Sequence, residues 1–427
     1  MTALAASITR DSVADELDRA RRASLDLLAP VPDADQRRQV SPLMSPLCWD
    51  LAHIAHYEEL WLLRALDDVA PTDLRFDDLY DAFAHPRRER VDLPILDPAG
   101  ARAFAADVRA RTLAHLDRVD LASEDPLLHE GFVYGMVVQH EHQHDETMLA
   151  TIQLMGDELA HPAAAFPVGD PPTPSGAVDH HARCAVHGGP VVLGTDAHPW
   201  AYDNERPAHT VDLAPFAVDR YPVTNHRYAE FVADGGYDDP RHWTDAGWAW
   251  RDEAALVHPQ FWRTEGGGGW SRLRFGRRED LPPAEPVQHV CLHEAEAFAR
   301  WAGGRLPTEP EWEAAAAGAS PHSANLGRVR WAPSPVGSRP ETASVHGVEQ
   351  CFGDVWEWTA SPFTPYPGFR SFPYREYSEV FFGNEYTVLR GGSWATDPVA
   401  MRVTFRNWDY PIRRQIFSGF RCAWDLT

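Results

Sequence analysis

Five cysteines in 427 residues, at positions 48, 184, 291, 351 and 422, form no Cys-x-x-Cys pair, and their odd number argues against a disulfide framework. A reducing, cytoplasmic setting is therefore expected. No apolar run approaches the ~20 residues that a membrane-spanning helix needs, and the opening MTALAASITRDS carries no secretory pattern. Cationic residues are outnumbered, 39 against 63 acids, giving a formal charge of −24. That balance argues against nucleic-acid and anionic-membrane partners, because phosphate binding needs a basic surface. It does not exclude small anionic substrates, since a pocket can oppose the global sign. There is no internal repeat and no long low-complexity tract, only Gly266 to Gly269, which reads as a loop tip.

What remains is ordinary globular composition, 44% hydrophobic and 24% charged, in a chain long enough for two cores. Residues 1–160 carry apolar positions at three- and four-residue spacing. Ser12 is the expected cap of a first helix with Val13, Leu17, Ala20, Leu25 and Leu28. A second helix is expected over Pro46–Leu66, a third over Pro98–Val119 and a fourth over Glu130–Leu159. Four such helices predict a bundle, where metal sites form between facing helices. Residues 161–188 contain Pro-Pro-Thr-Pro-Ser-Gly and read as a connector. Residues 189–427 hold short strand-like runs, many Gly and Pro, and two helices, around Asn225–Ala233 and Glu294–Ala302. Most of the sixteen Trp fall after residue 195, as flat side chains filling a loop-rich core.

Chemistry concentrates in Gln139-His140-Glu141-His142-Gln143-His144 and in Trp49-Asp50-Leu51-Ala52-His53-Ile54-Ala55-His56. His140 and His144 are separated by ~400° of helical rotation and ~6 Å of rise, so both imidazoles leave one face. A third histidine from another helix, His53 or His56, would complete a set with open coordination positions. His142 lies ~200° from His140 and should point away, as a surface residue or a support. Neutral imidazole suits iron, zinc, copper and nickel alike, so a zinc hydrolase or transferase competes with an iron enzyme.

The series Asp203-Asn204-Glu205-Arg206-Pro207, Gly304-Arg305-Leu306-Pro307-Thr308-Glu309-Pro310-Glu311-Trp312-Glu313, Gly353-Asp354-Val355-Trp356-Glu357-Trp358, Leu389-Arg390-Gly391-Gly392-Ser393-Trp394 and Gly419-Phe420-Arg421-Cys422 resembles the formylglycine-generating-enzyme/sulfatase-modifying domain, a variant of the C-type-lectin fold. The first half resembles DinB-like metal-binding bundles. Together with Phe405-Arg406-Asn407-Trp408-Asp409-Tyr410-Pro411-Ile412-Arg413, the whole resembles the ergothioneine-biosynthesis sulfoxide synthases. That resemblance implies an α+β protein, a four-helix bundle followed by a C-type-lectin-like domain. It also implies a non-haem iron(II) enzyme that uses O2 to join a thiol to the imidazole carbon of hercynine (Nα-trimethylhistidine). The actinobacterial type uses γ-glutamylcysteine; relatives take free cysteine, or histidine in place of hercynine.

Carried onto this chain, the resemblance selects His53, through Asp-Leu-Ala-His, to join His140 and His144 at the metal. It makes Gln143, Asn407 and Trp408 hercynine contacts, the indole beside the quaternary ammonium. It also places a catalytic tyrosine in Pro373–Val380, where Tyr374 is favoured over Tyr377. A thiol with two carboxylates and an ammonium needs cationic forks and an acid. Arg87, Arg90 and Arg413 can supply the first and Asp409 the second. Asp409 and Arg413 could also pair with each other if a local helix forms. Cys351 and Cys422 are expected to be buried apolar residues. Asp354 and Glu357 could bind calcium, although Trp356 and Trp358 favour packing. The competing readings are a zinc-dependent DinB-type transferase or hydrolase, and a lectin-like binding module without catalysis.

Overall fold

The computed structural model describes residues 8–156, 166–174, 176–265 and 269–426. It divides into two compact units, residues 1–165 with 275–277, and residues 166–274 with 278–427. The expected helix end at Leu159, part of the connector and most of the Gly266–Gly269 tip lie outside the described residues. Among those residues no helix is long and apolar enough to cross a membrane.

The first unit is built on α1 (Arg10–Leu28), α2 (Leu47–Glu58), α3 (Pro98–Leu116) and α4 (Phe132–Met155). Thr9, not Ser12, caps α1. Its Oγ1 accepts the Ser12 N–H at 3.2 Å while Ser12 Oγ accepts the Thr9 N–H at 2.9 Å, so Ser12 is the third residue of a capping box. Asp97 caps α3 through the Gly100 N–H at 2.7 Å, with Pro98 where its missing N–H costs nothing. Helix α2 does not run unbroken to Leu66; it widens into a π-turn over Glu59–Arg64. Helix α2 packs on α3 and α4, and α1 on α4. Their shared core includes charge. Arg21 and Arg109 reach Glu58 (2.8 and 2.9 Å) and Glu141 (2.7 and 3.0 Å), and all four are buried.

In the second unit, β1 (Arg183–Val186), β4 (Phe216–Asp219) and β12 (Ala423–Asp425) form an antiparallel sheet that joins the ends of the unit. Strand β1 begins inside the stretch read as connector, so regular structure resumes before residue 188. A second sheet has the order β10 (Asn407–Asp409), β9 (Thr387–Arg390), β8 (Trp356–Pro362), β11 (Ser418–Gly419). Strands β2 (Gly189–Leu193) and β3 (His209–Leu213) pair alone, and β5 (Trp262–Thr264), β6 (Trp270–Arg274) and β7 (Arg277–Asp280) form a third sheet. Helices α5 (Asn225–Ala233) and α7 (Leu292–Trp301) match the two expected. Helices α6 (Asp245–Glu253) and α8 (Glu309–Ala315) are additional, each capped by a threonine, Thr244 or Thr308.

Trp200, Trp312, Trp358 and Trp394 are fully buried. Around them the motif acids meet arginines: Glu205 with Arg402 (2.7 Å), Glu309 with Arg390 and Arg406 (both 2.7 Å), Glu313 with Arg390 (2.6 Å), and Glu357 with Arg421 (2.6 Å). All 39 cationic residues of the chain are arginine. Arginine suits these sites because its planar fork satisfies a buried carboxylate at two points. Asp354 accepts from Asn325 (2.8 Å), the Ser334 N–H (2.6 Å) and Gln350 (2.8 Å), so both its oxygens, like Glu357, are engaged by protein donors. Cys351 and Cys422 are buried, and burial pushes the Cys351 thiol up to about 12. At Gly391 (φ +90°) a Cβ would lie 2.3 Å from the Cys351 carbonyl oxygen, so the Arg390-Gly391 turn requires glycine.

Candidate metal centre

Helix α2 presents Trp49, Asp50, His53 and Tyr57 at offsets of three and four residues; α4 presents His140 and His144. Ring centroids lie 5.1 Å apart for His53 and His140, 4.7 Å for His53 and His144, and 4.6 Å for His140 and His144. One ligand atom from each falls within 4.8 Å of the others. His53 is buried, and the other two retain some exposure.

Each ring is held from behind. His53 Nδ1 donates to the Tyr80 carbonyl at 2.7 Å, which leaves Nε2 as a lone pair. His144 Nδ1 stands 3.1 Å from Asp50 Oδ1, a carboxylate–histidine pair of the kind that aims a metal ligand. His140 has no such acceptor, its Nδ1 being buried without a hydrogen-bond partner; its ring instead stacks on Tyr57 at 3.8 Å and 18°. Trp49 lies flat against His53 at 4.7 Å and 10°, and its Nε1 donates to Leu79 O at 2.8 Å.

Burial, followed by the neighbouring His144, holds the His53 and His140 imidazolium forms well below the ordinary histidine range. Both rings are therefore neutral near pH 7. Their Nε2 atoms are only 3.3 Å apart. Neutral, convergent imidazoles at this separation are the donor set that a divalent transition metal fits, with positions left over for small ligands.

The other candidates in this unit fare differently. His56, the alternative third ligand, is turned to Asp77 at 2.9 Å. Arg90 is buried, and its guanidinium donates to His85 O (3.1 Å), Ser45 Oγ (2.8 Å) and Ala82 O (2.8 Å) while lying 3.7 Å over Trp49. In these contacts it braces the indole that braces His53. Arg87 is half-buried and donates to Leu43 O at 3.1 Å. Gln143 is half-buried on α4 beside His144. His142 is buried, not on the surface, and pairs with Asp145 at 3.1 Å. Asp145 in turn accepts from Ser24 (2.6 Å), which also reaches Glu141, so His142 ends the ionic cluster behind the centre.

In the second unit the remaining candidates gather on and beside β10. Trp408 stacks on Phe363 at 4.1 Å and 8° and stands perpendicular to the Tyr377 ring, centroids 6.1 Å apart. Tyr377 is buried and Tyr374 half-buried, in edge contact at 6.2 Å. Asn407 and Asp409 flank Trp408 on the opposite face of the strand. Asp409 pairs with Arg413 at 3.2 Å, across a turn and not along the helix that the spacing suggested. Sequence reading passed over Asp50, Tyr57 and Tyr80. The first two were accessible through their helical offsets from His53, but Tyr80 acts through a backbone carbonyl, which no side-chain pattern reveals.

Residues 172–426 match the sulfatase-modifying factor enzyme 1-like domain family, and residues 16–148 the DinB superfamily. Over 98% of its length the chain is 50% identical to the hercynine oxygenase of Mycolicibacterium smegmatis, covering 100% of that protein. It is 49% identical to the hercynine oxygenase of Mycobacterium tuberculosis over 97% of this chain and 99% of that one. The formylglycine-generating enzyme of Streptomyces coelicolor is 33% identical over 62% of this chain and 95% of its own.

Proposed function

Because the chain belongs to the hercynine oxygenase family, we propose that it is an O2-dependent sulfoxide synthase of ergothioneine biosynthesis, forming the C–S bond between hercynine and the thiol of γ-glutamylcysteine. The convergence of three neutral imidazoles, His53, His140 and His144, carries this reading from the structure. These residues would hold iron(II), which supplies a redox centre for the reduction of O2 and a template for the two substrates. In the net reaction, hercynine C–H, the thiol S–H and O2 give the C–S(O) product and one water. The substrates lose four electrons and O2 takes them.

The chain's own residues bind and orient. In the second unit the Trp408 face would meet the trimethylammonium group, with Asn407 for polar contacts; in the first, Gln143 is a polar contact offered beside His144. Asp409 would receive the thiol substrate's ammonium, while Arg413 and Arg87 take carboxylates. Because Asp409 and Arg413 now pair with each other, each exchanges one partner for another when the substrate binds. Ordering the two substrates replaces an unlikely three-body encounter. The phenol that moves hydrogen is assigned to Tyr377, with Tyr374 beside it. Tyr377 is the one whose ring touches Trp408. It would pass a hydroxyl hydrogen toward the departing water and recover one from the substrates. A cytoplasmic setting accords with five free cysteines.

The test is anaerobic metal analysis followed by mass spectrometry of products from hercynine with γ-glutamylcysteine, and with cysteine, under measured O2 uptake. Iron content and O2-coupled sulfoxide support the proposal. Product formed with zinc and without O2 would establish the transferase reading instead.

A further inference from the structure

The segment carrying Tyr374 and Tyr377 is anchored by three consecutive residues from the opposite end of the unit's sequence. Asp203 Oδ2 accepts the Phe372 N–H at 3.1 Å, and Oδ1 accepts the Ser378 hydroxyl. Ser378 Oγ also receives Asn204 Nδ2 at 3.0 Å. One buried carboxylate thus ties down both ends of a seven-residue stretch. Beside it, Tyr202 is 2% exposed and stacks on Tyr377 at 4.1 Å and 23°. Burial pushes the Tyr202 phenol up, and hydrogen bonding with the Tyr377 side chain pulls it back. Tyr202 is itself fixed, because its N–H donates to Glu205 Oε1 at 2.9 Å and Glu205 is held by Arg402 at 2.7 Å.

We propose that Tyr202 and Asp203 are positioning residues for the Tyr377 phenol, Tyr202 directing its hydroxyl and Asp203 fixing the segment that carries it. This rests on the assignment of Tyr377 as the hydrogen-moving group. Packing alone would need only the ring of Tyr202 and only one acceptor at Asp203. The structure supplies a second phenol stacked on the first, in place of a plain ring, and a carboxylate bonded at both oxygens. A group that transfers hydrogen must hold its O–H direction closely, and small misplacements are costly in rate. Replacing the Tyr202 hydroxyl by hydrogen keeps the stack and frees that direction.

The test uses the full-length, iron-loaded protein with 3-fluorotyrosine at position 377. Tyr202→Phe is expected to shift or broaden the fluorine resonance and to lower the ratio of C–S product to oxidised thiol threefold or more. The KM for hercynine should stay within twofold. Asp203→Asn is expected to move both readouts in the same direction; if that variant does not fold, Tyr202→Phe decides alone. An unchanged resonance in Tyr202→Phe overturns the inference whatever Tyr377→Phe does, and so does a moved resonance with an unchanged product ratio. An unchanged ratio in Tyr377→Phe instead overturns the donor assignment, and with it the positioning role of Tyr202 and Asp203.

Discussion

A histidine that binds metal through one ring nitrogen is aimed by whatever its other nitrogen touches. In this centre the three rings are aimed in three ways: by a carbonyl at His53, a carboxylate at His144 and a stacked phenol at His140. Asp50→Asn keeps the shape and removes the charge behind His144, so on the proposed iron reading the affinity in anaerobic titration should fall roughly 10- to 100-fold. Tyr57→Phe preserves the ring under His140 and should leave that affinity nearly unchanged, whereas Tyr57→Leu should weaken it. The histidine spacing made the convergence of the three rings legible, since an i, i+4 pair on a helix must share one face. The roles of Arg90 and His142 were not legible. A guanidinium in an Arg-rich loop and an out-of-phase histidine look solvated until the chain folds back over them. Arg90 is then spent on three acceptors and an indole.

Between elements, what joins α1, α2, α3 and α4 behind the three histidines is the cluster of Arg21, Glu58, Arg109 and Glu141. Removing one member leaves an uncompensated buried charge, so Arg109→Met should cost about 3–5 kcal/mol in urea unfolding. The paired change of Arg109 and Glu58 to apolar residues should cost less than the sum of the single changes. Burial alone would push the Glu58 carboxyl up, but Arg109 and Arg21 outweigh it and hold it below the ordinary range. Its contribution is therefore present above the unfolded carboxyl pKa of ~4.3 and lost as pH falls through the lower folded value. Denaturant midpoints measured from pH 6 down to pH 3 should show that loss, and Glu58→Gln should remove it. In the second unit the same chemistry explains why family motifs were readable. Glu309 and Glu313 sit four apart on α8 so that both can grip Arg390. The short helices α6 and α8 escaped notice because nine and seven residues give periodicity little room, and only their threonine caps announced them.

For the molecule as a whole, acid should be the weak side. Burial pushes His289, in the second unit, down to about 3. Unfolded, it binds a proton below ~6.5; folded, it does so only near 3. The unfolded state therefore holds more protons in between, and stability should fall with pH by up to about 1.4 kcal/mol per unit. His289→Gln should flatten that slope in denaturant titrations from pH 7 to pH 4. The two-part plan and its order were legible because bundle periodicity gives way to Gly- and Pro-rich strands. The start of β1 was not, since its pairing with β4 and its neighbour β12 reaches across nearly the whole unit. A last consequence follows from arginine supplying every cation. With no ε-amine among its side chains, the protein offers amine-directed reagents no side-chain target, so charge-altering lysine acetylation cannot tune it.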